Sequence, residues 1–214
     1  MSGRLNLYPH GTGGKLIVFC GLDGCGKSTA IRQMQARLLE LGEPVFVTKQ
    51  PTPALRETGI FRTFTDQQNH SQYDYRALSL MAAADRLQHV RAEILPRLRE
   101  GQTVLCDRYF YSCLANLRAR GYGADRWIYE IAEKLPRPDY AFFLDLPVET
   151  AVARVRSRPE ERDRYIDMEL QFRLREEYRR ICFDCGGILM RSDHGVEDFC
   201  EAMWQAVRPM YPEK

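Results

Sequence analysis

The sequence predicts an α/β domain in which a parallel sheet is covered on both faces by helices. Short apolar runs bounded by glycine or proline alternate with longer stretches whose apolar residues recur at helical spacing. That alternation marks strands joined by crossover helices rather than by hairpins. A glycine-rich turn joins the first apolar run to the first helical stretch. In open parallel sheets ligands gather beyond the carboxyl ends of the strands. The turns after residues 20, 49, 106, 145 and 190 are therefore expected to face one site.

The elements follow in order. Residues 15–20 form a buried strand. Ile31, Met34, Leu38 and Leu41 place a helix over 27–41, which Gly42 ends. Residues 44–49 read as the second strand. Prolines and polar residues make 51–72 a loop with room for one short helix. A helix is expected over 75–98, a third strand over 102–106, helices over 111–120 and 124–135, and a fourth strand over 139–145. Pro147 opens the next helix, as proline at a first helical position often does. Residues 154–164 are a charge block with five arginines and three acids. A helix over 165–182, a fifth strand over 187–190 and a helix over 196–207 close the chain. Residues 1–14 read as a flexible lead-in, leaving 15–214 as a single domain, a suitable size for one core.

Composition excludes several classes. With 31 basic and 29 acidic residues, a net charge of +2 provides no general field for nucleic acid or membranes. No apolar run is long enough to span a bilayer, and residues 1–14 lack the apolar core of a secretory leader. Seven cysteines, an odd number partly inside apolar runs, suit reduced thiols in the cytoplasm. Cys182 and Cys185 supply two of the four ligands a structural zinc needs, and no second pair has matching spacing.

The chemistry is concentrated in two places. Gly21-Leu22-Asp23-Gly24-Cys25-Gly26-Lys27-Ser28 fits GxxxxGK[ST], and Thr29 continues it into the helix. In that setting backbone N–H groups turn inward around phosphate oxygens, and the new helix aims its positive end at them. Lys27 is expected to reach the outer phosphates and Ser28 to ligate Mg²⁺. At the end of the third strand, Asp107 can hold the same Mg²⁺ and Arg108 can fork onto a second phosphate. These groups imply binding of a nucleoside triphosphate. Cys25 lies near a helix N-terminus, where thiol pKa values tend to fall, so it reads either as a redox-sensitive thiol or as small inert filler.

Several segments, in order, resemble the thymidylate kinase family. Phe19 to Thr29 resembles its phosphate loop, including the internal Asp23. Ala84-Asp85-Arg86-Leu87-Gln88-His89 resembles ADRxQH, and Ile94-Leu95-Pro96-Arg97-Leu98 resembles IxPxL. Asp107-Arg108-Tyr109-Phe110-Tyr111-Ser112 matches DRYxxS, and the block from Arg158 to Tyr165, with Asp163-Arg164-Tyr165, resembles the lid and its tail. The resemblance implies the P-loop nucleoside monophosphate kinase fold: a five-stranded parallel sheet flanked by helices, with a short lid at about 154–164. It also implies a homodimer that transfers phosphate from ATP to dTMP, giving dTDP and ADP, with nucleotides as its partners. By position, Asp23 would lie near the acceptor's sugar and phosphate, Arg86 would bond the pyrimidine O4, and Arg108 would hold the acceptor phosphate. Arg158, Arg162 and Arg164 would close over ATP. The phosphate loop has no arginine and the lid has several, which resembles the lid-arginine type typical of bacteria.

Three departures fall among the expected substrate contacts. Lys49 and Gln50 replace an Arg-Glu pair. Ala82 stands where the family has a phenylalanine stacked on thymine, and Asn116 stands where a tyrosine crowds out a ribose 2′-OH. Tyr73, Tyr75, Tyr109 and Tyr111 are aromatic candidates to fill the space at Ala82. The alternatives are another pyrimidine or modified nucleotide as acceptor, or a non-catalytic nucleotide-binding switch. Intact Lys27, Ser28, Asp107 and Arg108 argue against the switch.

Overall fold

A computed structural model describes residues 5–65, 72–162, 164–193 and 195–211. The first four residues of the lead-in, residues 66–71 of the proline-broken stretch, Asp163 and His194, and the last three residues lie outside the described set. The strands are β1 (Tyr8–Pro9), β2 (Lys15–Gly21), β3 (Val45–Lys49), β4 (Thr103–Asp107), β5 (Pro136–Arg137), β6 (Tyr140–Asp145) and β7 (Ile188–Arg191). Five of them form one parallel sheet in the order β3-β4-β2-β6-β7. Leu16 to Cys20 at its centre are fully buried, as a continuously apolar strand covered on both faces should be.

The helices are α1 (Lys27–Glu40), α2 (Pro53–Arg56), α3 (Gly59–Thr65), α4 (Tyr75–His89), α5 (Leu95–Arg99), α6 (Phe110–Ala119), α7 (Arg126–Ala132), α8 (Val148–Arg156), α9 (Met168–Cys185) and α10 (Val196–Val207). Register sets the site. Lys49 pairs with Asp107, and Asp107 with Phe19 two residues before Gly21. Three strand ends therefore finish at one level.

Several expectations are revised. The lead-in is tied down from residue 8: Tyr8–Pro9 pairs in parallel with Pro136–Arg137, and His10 Nε2 lies 3.0 Å from Asp139. Two-residue strands have no periodicity to read. The described residues of the 51–72 stretch carry two helices, α2 and α3, where one was expected. The helix expected over 75–98 is broken by a π-helical turn, Val90–Ile94, ahead of Pro96. Proline lacks an N–H and its ring crowds the carbonyl four residues back; a widened turn relieves both. Pro147 is the N-cap of α8 rather than its first helical residue. α9 begins at Met168 because the Asp167 carboxylate accepts from Leu170 N at 3.0 Å, and it ends at left-handed Gly186. The turns after β2, β3 and β4 meet. Asp145 at the end of β6 is instead clasped by Arg175 (2.6 Å) and Arg179 (2.7 Å), and Ser192 N bonds back to the Asp145 carbonyl.

Candidate active site

The phosphate loop is shaped by its glycines. Gly26 caps α1 at φ 100°, and Gly24 sits at φ 83° with its Cα facing α8. A Cβ on Gly24 would come within 2.2 Å of the Ala151 carbonyl oxygen. Replacing Gly24 by alanine is therefore expected to cost about 1–3 kcal/mol of stability and to weaken ATP binding. Thermal unfolding with and without ATP checks this, and unchanged values would contradict it. The Lys27 ammonium is buried inside the loop, donating to the carbonyls of Leu22 (2.7 Å) and Gly21 (3.2 Å). Cys25 is fully buried, with its Sγ 3.7 Å from that ammonium.

Asp23 joins the loop to the rest of the site. Its carboxylate accepts from Arg108 at 2.5 Å and from Arg164 at 3.1 Å. Burial would raise the Asp23 carboxyl, but Arg108, Lys27 and Arg164 together hold it well below the usual carboxylate range. Arg108 also donates to Tyr178 Oη (3.1 Å) and to the Gly21 carbonyl (3.3 Å). Its backbone is left-handed at φ 66°, a conformation that a bulky side chain keeps only where its surroundings fix it.

The expected metal ligands lie together. Ser28, exposed at the start of α1, and Asp107 line one cavity of about 540 Å³. Asp107 Oδ2 is 3.2 Å from Lys49 Nζ, while buried Oδ1 has no hydrogen-bond partner among the described residues. An orphaned carboxylate oxygen beside an exposed hydroxyl suits a hard cation with oxygen ligands.

A second cavity, about 700 Å³, opens between the phosphate loop, α3, α4, α6 and the 158–167 segment. Asp23, Ala82, Arg86, Arg108, Asn116, Arg158 and Arg164 all line it. Arg86 is 3% exposed; its Nη1 donates to the Ala82 carbonyl at 2.8 Å, and its Nε has no partner among the described residues.

Two expected residues stand elsewhere. Arg162 is exposed and does not line the cavity. Gln50 is fully buried, and its backbone N–H is held by the Asp107 carbonyl at 2.9 Å. Its side-chain amide points to His89, so it supports the cavity from behind. Among the candidate aromatics, Tyr109 and Tyr111 are core residues, with Tyr109 Oη spent on the Pro136 carbonyl. Tyr75 does line the cavity. The sequence reading missed Arg56, Phe61, Phe64, Arg120 and Tyr178, which line it too. A phenylalanine pair three apart, at 61 and 64, was the available signal for α3.

Gln50 belongs to a buried network. Its Nε2 donates to His89 Nδ1 at 3.0 Å, so His89 Nε2 carries the proton and donates to Thr48 Oγ1 at 2.8 Å. Burial lowers the His89 pKa from its ordinary 6.5, against the opposing pull of Glu93 and Asp85. A depressed histidine leaves the unfolded chain binding the extra proton first. The stability it contributes is complete above pH 6.5 and is lost as pH falls through the lower folded value. The loss of Tm between pH 7.5 and 5.5 is expected to shrink in His89→Gln. An identical loss in both proteins would refute the assignment.

A strand, a glycine loop closed on a buried lysine, a helix N-terminus and an arginine-lined second cavity sharing Asp23 define an ATP-dependent nucleoside monophosphate kinase. Comparison with known proteins narrows the class. The thymidylate kinase family model matches residues 19–202. A probable thymidylate kinase of Pyrococcus horikoshii is 38% identical over 170 residues, covering 78% of this chain and 82% of that protein. The thymidylate kinase of Enterococcus faecalis is 30% identical over 208 residues, covering 94% and 98%. The chain belongs to the thymidylate kinase family. No helix among the described residues is long and apolar enough to cross a membrane.

Proposed function

We propose that the chain transfers the terminal phosphate of ATP to dTMP, giving dTDP and ADP, with Mg²⁺ required. One observation carries this reading. The phosphate loop and a cavity lined by Arg86, Arg108, Arg158 and Arg164 meet at Asp23. Phosphoryl transfer depends mainly on alignment and charge neutralisation. The loop amides and Lys27 cradle the donor phosphates, and Arg108 forks onto the acceptor phosphate. Asp23 fixes the direction of both Arg108 and Arg164. Arg158 and Arg164 close over the transferring group and exclude water, which prevents idle hydrolysis. Ser28 and Asp107 would hold Mg²⁺, which when bound supplies positive charge to the phosphate oxygens. Arg86, buried with an Nε–H that has no partner among the described residues, bonds the base carbonyl. The enzyme works as a homodimer, for which Leu80 (48% exposed) and Met81 (37%) on α4 offer an apolar face; sedimentation at micromolar concentration tests this.

A second reading keeps the fold and changes the acceptor's sugar. The Asn116 amide nitrogen donates to the Ser112 carbonyl at 3.0 Å, leaving its oxygen to accept from a hydroxyl. ADP release measured with ATP, Mg²⁺ and dTMP, dUMP, UMP, dCMP, CMP, dGMP or AMP decides. Clear preference for dTMP supports the first reading, and preference for a ribonucleotide supports the second. ATP binding with transfer to no acceptor would favour a nucleotide-binding switch.

A further inference from the structure

We propose that Phe61 is the surface on which the acceptor's base stacks, a role that Ala82 cannot fill. The proposal rests on the reading of the 700 Å³ cavity as the acceptor site.

The chain from Thr52 to Phe64 crosses α4 at two fixed points. At one end, the backbone N–H of Thr52 donates to the Asp85 carboxylate at 2.9 Å, and its hydroxyl bonds the same group. At the other end, Phe64 meets Tyr75 edge-on, with ring centroids 5.6 Å apart at 86°. Asp85 and Tyr75 are ten residues apart on α4, roughly 15 Å along the axis. The segment therefore runs antiparallel to α4, and Phe61 falls between the two anchors. So do Ala82, Ser79 and Leu78 on the facing side, all lining the same cavity.

The chemistry of the opposing walls differs. On α4, Ala82 is small, and the groups one turn to either side of it are unspent donors. Arg86 Nε and Ser79 Oγ are buried with no hydrogen-bond partner among the described residues. Across from them Phe61 presents a half-buried ring, and the Arg56 guanidinium lies 5.9 Å from that ring's centroid. Arg56 is itself held, its Nε donating to the Pro51 carbonyl at 2.7 Å. A flat ring with carbonyl groups on its edge satisfies both walls at once. Its face lies on Phe61 and its carbonyls accept from Arg86 and Ser79. Bases gain most of their sequence-tolerant affinity from such aromatic contact. Because the stack is far from the transferred phosphate, it acts equally on ground and transition states.

The test compares Phe61→Ala, Phe61→Leu and Phe61→Trp with the wild type, using the best substrate among dTMP, dUMP, UMP, dCMP and CMP. Phe61→Ala is expected to raise the acceptor KM about 10- to 100-fold, with kcat and the ATP KM within about twofold. Phe61→Trp, which keeps an aromatic face, should stay near the wild-type KM, with Phe61→Leu between. Adding Ala82→Phe to Phe61→Ala should recover most of the lost affinity by restoring a ring from the opposite wall. An unchanged acceptor KM in Phe61→Ala overturns the proposal. So does a loss shared equally by kcat and both KM values, which marks a structural role. A wild type that ignores dTMP but uses another pyrimidine nucleotide defeats the dTMP assignment alone, and the stacking test proceeds with that substrate. A wild type silent with all five overturns both.

Discussion

Replacing Lys27 by methionine is expected to lower kcat about 10³-fold, with a smaller rise in the ATP KM. Removing one preorganised charged donor from a developing anion costs on the order of 10²–10³ in rate, and Lys27 stands at the centre of the loop. Its ammonium is already buried and fixed by the Leu22 and Gly21 carbonyls, so it needs no rearrangement to meet the donor phosphates. Methionine keeps the length and apolar body of the side chain, which limits the structural cost. Arginine should not rescue, since a planar fork differs from a point charge in shape and reach. The measurement is ADP release at saturating acceptor, with thermal unfolding as the control for folding. A loss below about tenfold would remove Lys27 from the catalytic account.

The second large effect is expected at Arg108. Arg108→Ala should cut kcat/KM for the acceptor by at least about 10²-fold, because it removes the fork proposed to hold the acceptor phosphate and frees Asp23 from the first of the charges that depress it. Stability should separate from activity here. At φ 66°, glycine is comfortable and alanine is strained, so Arg108→Gly should unfold at a higher temperature than Arg108→Ala. Both should be equally impaired in catalysis. If Arg108→Gly recovered activity along with stability, the arginine's importance would be conformational rather than electrostatic. In both variants the Asp23 carboxyl should titrate at a higher pH than in the wild type, since Arg108 leads the charges that now depress it.

Much of this was legible in the residues. Five strands, the phosphate loop and Asp107-Arg108 have local patterns: continuous apolar runs, glycines at fixed offsets and charged groups at strand ends. The walls of the 700 Å³ cavity were legible only in part. Arg86 and Asn116 follow from matching segments, yet Gln50 faces away because its backbone is claimed by Asp107, a contact between strands that no local pattern encodes. Phe61 and Phe64 sit in a stretch broken by prolines, where the helices are four and seven residues long and too short to establish a period. Such short helices owe their order to tertiary anchors, here Asp85 and Tyr75. Arg120, stacked 4.0 Å over Tyr75, depends likewise on two helices meeting.

The widened turn at Val90–Ile94 has a consequence for how the enzyme tolerates change. Arg86, Val90, Ile94 and Leu98 are all buried and spaced four residues apart. In a regular helix each such step overshoots a full revolution by about 40°, so three steps would swing Leu98 roughly 120° away from Arg86. The extra residue per turn absorbs that drift. One end of the rod can then face the 700 Å³ cavity while the other faces the sheet. What is conserved by this device is length rather than composition. Substitutions within 90–94 that keep their polarity should pass, whereas deleting a single residue would put the two ends out of phase. The molecule would then have to give up either the place of Arg86 in the cavity wall or part of its core.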